Sequence, residues 1–334
     1  MSRDVLLHGG ALDLLRERFP DAPAPWLDLS TGINPWPYPF RSDVRAVAAH
    51  LPTREQFDAC ASAMATSMQA SAEHLILAPG TELLIRLLPA VLDATRVCVA
   101  ARSYRDHFAS WQSSDAHVIE AEDPLQYVSD CDTLVVCNPN NPDGRRWSRA
   151  DILNAREQLA AKGGRVIVDE AYADLEPERS LVDEAPAPGL IVLRSFGKFF
   201  GLAGVRLGAL IASDDVLDAL RTLLGVWPVA GPALSIGAEA YRDASWQHEM
   251  RQRLAQQRGD LDAVLESNGL SIDGGTDLFR FIKTADAADC WEALAKQGIY
   301  TRLFRWSSCH LRIGLPSSER EIERLDAALR LLRA

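Results

Sequence analysis

No stretch of the sequence approaches the ~20 consecutive apolar residues that a membrane-crossing helix needs. Cysteine is scarce, and the six residues at positions 60, 98, 131, 137, 290 and 309 form no C-x-x-C pair. Several lie in apolar runs, so they read as buried thiols of a reducing compartment, not as a disulfide framework or zinc site, and no metal is expected. Positive charge is in deficit: 35 Lys and Arg against 46 Asp and Glu leave a formal net charge of −11. That balance argues against a nucleic-acid partner and against an anionic membrane surface. An acidic chain that binds anions must do so with a few well-placed arginines. The opening MSRDVLLHGGALDLLRERF lacks the apolar core of a secretory signal, so a cytoplasmic location is expected. Internal repeats and low-complexity tracts are also missing.

What is present is the alternation of an α/β protein. The 334 residues, 47% hydrophobic and 24% charged, suffice for two domains or one large α/β body. HLILA (74–78), RVCVAA (96–101), HVIEA (117–121), DTLVVC (132–137), RVIVDE (165–170) and LIVLRSF (190–196) are short apolar runs. Segments of helical spacing, such as 82–93 and 149–163, separate several of them. Strand–helix alternation of this kind predicts a mostly parallel sheet covered on both faces, and VRLGALIA (205–212) is placed to add an antiparallel neighbour. From residue 231 the texture changes to a long helical stretch over 233–266, then short strands and helices. Ser318 and Glu321 have capping-box spacing at the start of the last helix. The expected organisation is a proline-rich arm over 1–40 joining a small domain, a large α/β domain over 41–230, and a small α+β domain over 231–334.

Three segments carry candidate chemistry. NPNNPDG (138–144) follows a strand and is rich in turn formers; the carboxyl ends of strands in an open α/β sheet are also where ligands bind. RVIVDE delivers Asp169 and Glu170 at a strand end, either as a helix cap or as a site acid. RSFGKFFGLAGVRLG (194–208) sets Lys198 among Phe196, Phe199, Phe200 and Leu202. A lysine there either snorkels its ammonium to water or is a desolvated amine with altered reactivity.

Taken together and in order, N-P-x-x-P-x-G, [IV]-x-D-E-x-Y and S-x-x-K resemble the class I/II aminotransferase superfamily, fold type I of the pyridoxal-phosphate enzymes, over nearly the whole chain. The resemblance implies a large domain with a mostly parallel sheet between helices, a smaller α+β domain, and pyridoxal 5'-phosphate as cofactor. Lys198 would bind the cofactor aldehyde as a Schiff base, and Asp169 would pair with the pyridine nitrogen. Asn141 and Tyr172 would hydrogen-bond the ring's phenolic oxygen. Gly80, Thr81 and Glu82, which open a helix, would cup the phosphate, closed by Ser195 and Arg206. Tyr104, in S-Y-x-x-H, would stack on the ring with His107 assisting, and Arg312, in HLRIGLP, would grip the substrate α-carboxylate. The chain departs from the family where Arg102 replaces a proline, Gly197 replaces a serine before the lysine, and Leu51-Pro52 replaces the Tyr-Pro of histidinol-phosphate aminotransferases.

The N-terminal LLHGGALDLL and LDLSTGINPWPYP resemble the threonine-phosphate decarboxylase branch of the family. This implies decarboxylation of L-threonine O-3-phosphate to 1-amino-2-propanol phosphate in cobalamin biosynthesis. His8, Asn34 and Arg302 join Arg312 as candidate contacts to a phosphorylated amino acid, with Arg305 a further candidate for the phosphate. The alternatives are a histidinol-phosphate or related transaminase and a pyridoxal-phosphate-binding protein without catalysis. A homodimer is the family expectation.

Overall fold

Seven of the apolar runs become one sheet. In the computed structural model, which describes residues 9–332, its spatial order is Leu75–Ala78, Gly208–Ile211, Leu190–Ser195, Arg165–Asp169, Thr133–Cys137, Arg96–Ala100 and His117–Ala121. The last five are mutually parallel, and Gly208–Ile211 runs antiparallel to both its neighbours. Leu134, Val135, Val136, Val166, Ile167, Val168, Ile191 and Val192 are all buried. A strand covered on both faces has no polar face to show, so these sequences run apolar without alternating. Thr81–Val91 and Asp214–Leu224 bury Leu84, Ile85, Leu88, Val216, Leu217 and Leu220 in one core cluster with sheet residues. Because the central strands are parallel, Cys137, Asp169 and Ser195 all end at the same edge of the sheet.

The chain divides into two units. The second, residues 37–141 and 145–247, contains this sheet; the first contains residues up to Trp36, residues 142–144, and everything from His248 onward. The boundary therefore differs from the expected one at 230/231. Helix Gly231–Arg242 stays in the second unit because it lies very close to its neighbours there. A Cβ at Gly237 would come within 2.3 Å of Leu207 Cδ2 and 3.1 Å of Cys60 Sγ. The helical stretch predicted over 233–266 is likewise two helices, Gly231–Arg242 and Ala244–Ser267. Asp243 divides them: its carboxylate accepts hydrogen bonds from Trp246 N at 3.0 Å and Ser245 Oγ at 2.8 Å, starting a new helix instead of continuing the old.

The first unit holds a four-stranded antiparallel sheet in the order Arg302–Leu303, His310–Gly314, Phe279–Lys283, Ser271–Thr276. Leu27–Asp28 pairs in parallel with Ile299–Tyr300, so the N-terminal arm is built into this unit through backbone bonds. In the last helix, Glu319–Leu331, Ser318 Oγ accepts from Glu321 N at 3.4 Å, while the Glu321 carboxylate accepts from the backbone N–H and hydroxyl of Ser317. Among the described residues, no helix is long and apolar enough to cross a membrane.

Candidate active site

One cavity of the second unit is lined by Gly80, Thr81, Glu82, Tyr104, Asn141, Asp169, Tyr172, Ser195, Lys198 and Arg206. Cys137, Pro139, Ala171, Gly197, Ala203 and Leu207 complete its wall. These residues come from five separate stretches of sequence. Parallel strands bring their carboxyl-end loops to one edge, and the loops deliver the side chains.

At one end of the cavity the chain turns into helix Thr81–Val91 through Gly80. Gly80 has φ +89° and ψ 157°, a region essentially restricted to glycine. A Cβ there would sit 2.9 Å from an Arg206 guanidinium nitrogen, and one at Gly208 would sit 2.7 Å from Thr81 N. Both glycines thus leave room at a helix N-terminus that no side chain caps. Its N–H groups and dipole favour an anion. Arg206 is more than half exposed and lies 3.6 Å from Glu82, whose carboxylate also pairs with Arg86 at 3.1 Å.

The other end is buried. The Asp169 carboxylate accepts from Ala171 N at 3.1 Å through Oδ1 and lies 2.8 Å from His107 Nε2 through Oδ2. Burial disfavours the imidazolium, but the Cys137 sulfur and the Asp169 carboxylate outweigh it and push the His107 pKa up to about 10. Tyr104 meets the His107 ring edge-on at 6.2 Å, and burial pushes its phenol well above the usual range. The loop before Asn141 is held by its own polar groups. Asn138 Nδ2 donates to Trp147 O, Trp147 N donates to Asn138 Oδ1, and fully buried Asn140 bonds Ser103 Oγ and Arg102 O. Behind the strand ends, buried Arg194 donates to Glu170 at 3.1 Å and to Asp174. Glu170 also accepts from Leu181 N at 2.7 Å, and burial raises its pKa against the pull of Arg194. This network fixes the residues flanking Asp169 and Ser195.

The remaining candidates belong to the first unit. Arg302 and Arg312 face each other as cross-strand partners. Arg312 is buried, donates to Ser30 O at 2.6 Å and lies over the Phe279 ring at 5.1 Å. Buried Tyr300 feels both arginines, although burial dominates and raises its pKa. Asn34 is buried, with Oδ1 accepting from Trp36 N at 2.9 Å. Arg305 is exposed, and so is Leu51 in the second unit. His8 lies outside the described residues; the adjoining Gly9 and Gly10 lie against Ser30, whose Oγ accepts from Gly10 N at 2.8 Å.

Cys137, which the sequence marks only as a buried thiol, belongs to the site. The signal was available: it is the last residue of one parallel strand and the register partner of Asp169 on the next. The buried network of Arg194, Glu170 and Asp174 was also missed, because its members pair only once two strand ends and a loop have met.

Comparison with known proteins adds a history to this geometry. The family model for aminotransferase class I and II matches residues 48–329. A threonine-phosphate decarboxylase of Pseudomonas aeruginosa is 38% identical over 97% of both chains, and one of Sinorhizobium sp is 36% identical over 97% of both. A histidinol-phosphate aminotransferase of Mesorhizobium japonicum is 28% identical over 94% of this chain and 91% of its own. Among solved structures, the histidinol-phosphate aminotransferase of Clostridium acetobutylicum superposes with a TM-score of 0.83 at 17% identity, covering 92% of this chain and 98% of that one. That of Sinorhizobium meliloti, in complex with pyridoxal-5'-phosphate, gives 0.81 at 18% identity over 96% and 94%. At such identities the structures speak for the fold alone.

Proposed function

Since the chain belongs to the class I and II aminotransferase family, we propose that it is a pyridoxal-phosphate-dependent decarboxylase acting on L-threonine O-3-phosphate. The observation that carries the reaction is the pair of decarboxylase relatives, each aligned with nearly the whole chain at 36% or more. The proposed product is 1-amino-2-propanol phosphate, destined for cobalamin synthesis. A cytoplasmic homodimer is part of the same reading.

The cavity fits this cofactor. Gly80 and Gly208 keep an uncapped helix N-terminus clear beside Arg206, which suits a phosphate. A buried carboxylate, Asp169, stands at the far end, and Lys198 lines the wall. Thr81, Glu82, Ser195 and Arg206 are the groups proposed to hold the phosphate, the first two through backbone N–H, while Gly80, whose own N–H donates to Ala78 O at 2.7 Å, keeps the space clear. Asp169 would hold the pyridine nitrogen in its protonated form, backed by His107. Asn141 and Tyr172 would hold the phenolic oxygen, and Tyr104 would cover a ring face. When bound, pyridoxal phosphate supplies an electron sink for a bond broken at the substrate α-carbon.

The rest is work for side chains. Lys198 Nζ would be the attachment point for the cofactor aldehyde and would hold the proton that the substrate α-carbon takes in place of the departing carboxyl group. Arg312 is assigned the α-carboxylate, where a planar guanidinium can grip both oxygens. Arg302 is assigned the substrate phosphate, with Asn34 and His8 as further contacts. Fixing both anions would hold the substrate in one orientation, and that orientation would favour loss of carbon dioxide over loss of a proton.

The test supplies threonine phosphate and measures carbon dioxide, against histidinol phosphate plus 2-oxoglutarate with glutamate measured. Carbon dioxide without glutamate is expected; glutamate without carbon dioxide would sink the proposal.

A further inference from the structure

At the buried end of the cavity three different ligand types converge on one point. Cys137 and Asp169 end adjacent parallel strands as direct register partners, so both side chains emerge side by side at the same edge. His107 reaches them from helix Arg105–Gln112. One donor atom from each residue lies within 4.8 Å of the other two, and Nε2 of His107 is 2.8 Å from Asp169 Oδ2. All three residues are buried, yet Cys137 and Asp169 line the cavity, which gives an ion a way in. A thiolate, an imidazole nitrogen and a carboxylate oxygen with one open position form a tetrahedral donor set for zinc and for softer divalent ions. The Ala171 N–H bond to Oδ1 already fixes the carboxylate, the kind of outer support that metal ligands require.

We infer that His107, Cys137 and Asp169 form a site for one thiophilic divalent cation when the cofactor is not bound, and that cation and cofactor exclude each other through Asp169. Binding displaces the Nε2 proton of His107 and the thiol proton of Cys137, and leaves imidazole, thiolate and carboxylate on the metal. The site itself rests on the trio's geometry. The exclusion rests on the proposed pairing of Asp169 with the pyridine nitrogen.

The experiment uses the full chain, stripped of cofactor and metal, titrated with cadmium and with zinc. Cadmium should produce a thiolate charge-transfer band in the ultraviolet that saturates at one equivalent. Zinc should bind by calorimetry and remove that band in competition. Cys137→Ser should abolish the band and weaken zinc by about 100-fold or more, beyond what loss of an outer-shell partner costs. His107→Gln should also weaken zinc, so the result does not depend on one variant folding. Cys309→Ser is the control: that thiol is half-buried, 3.4 Å from His310 Nδ1, and its loss should leave the band intact. Absence of the band, or its survival in Cys137→Ser, overturns the site. Zinc preloading should block the visible absorbance of added pyridoxal phosphate until a chelator is supplied. Simultaneous binding of both overturns the exclusion. If pyridoxal phosphate never binds while cadmium does, the metal site stands and the cofactor reading fails.

Discussion

His107 is the residue whose charge the fold most clearly controls. An unfolded histidine has a pKa of ~6.5, and in the folded chain the value rises to about 10. Between those values the native state holds a proton that the unfolded state has released, so stability falls as pH rises. The contribution is complete below the lower value and gone above the higher one. Denaturant midpoints of the cofactor-free, metal-free protein should therefore fall from neutral pH toward about 10, and His107→Gln should flatten that slope. A second residue-scale expectation concerns Gly80. Alanine there would occupy a backbone region that costs about 1–3 kcal/mol and would push on Arg206. Gly80→Ala should lower the melting temperature and weaken pyridoxal phosphate much more than unphosphorylated pyridoxal. The motif residues were legible because each lies in a short run of sequence at a strand's end. Cys137 was hidden because its meaning comes from register with Asp169, a relation between strands.

At the scale of elements, the buried cations and anions tie strands to the loops that follow them. Arg194, at the penultimate position of strand Leu190–Ser195, bonds Glu170 and Asp174 from the segment after strand Arg165–Asp169. Arg194→Met would leave two carboxylates buried without their cation, a change that costs about 3–5 kcal/mol. Chemical denaturation should show that loss, and Glu170→Gln in the Arg194→Met background should recover part of it. All seven strands of the sheet were legible from apolar runs, including the antiparallel Gly208–Ile211. The break at Asp243 was not, since helical periodicity resumes on both sides and only the side-chain cap shows where the backbone turns.

At the scale of the whole molecule, substrate choice is assigned to the first unit, where Arg302 and Arg312 stand opposite each other on neighbouring strands. Arg302→Ala should raise the KM for threonine phosphate by about 10- to 100-fold, the worth of a charge-assisted bond, and leave plain threonine unaffected. An equal effect on both would take Arg302 out of the phosphate role. The family's fold could be read from the sequence because its motifs run in order along the chain; the unit boundary could not, because close packing at Gly237 determines it. Strand Leu27–Asp28 pairs with Ile299–Tyr300. On a ribosome the arm therefore emerges long before its partner exists. The sheet unit, complete at Gln247, can fold during synthesis, while Leu27–Asp28 must wait for Ile299–Tyr300. Translation order thus imposes a delay on the arm, and this protein's vulnerability to proteolysis should peak in nascent chains that stop short of residue 299.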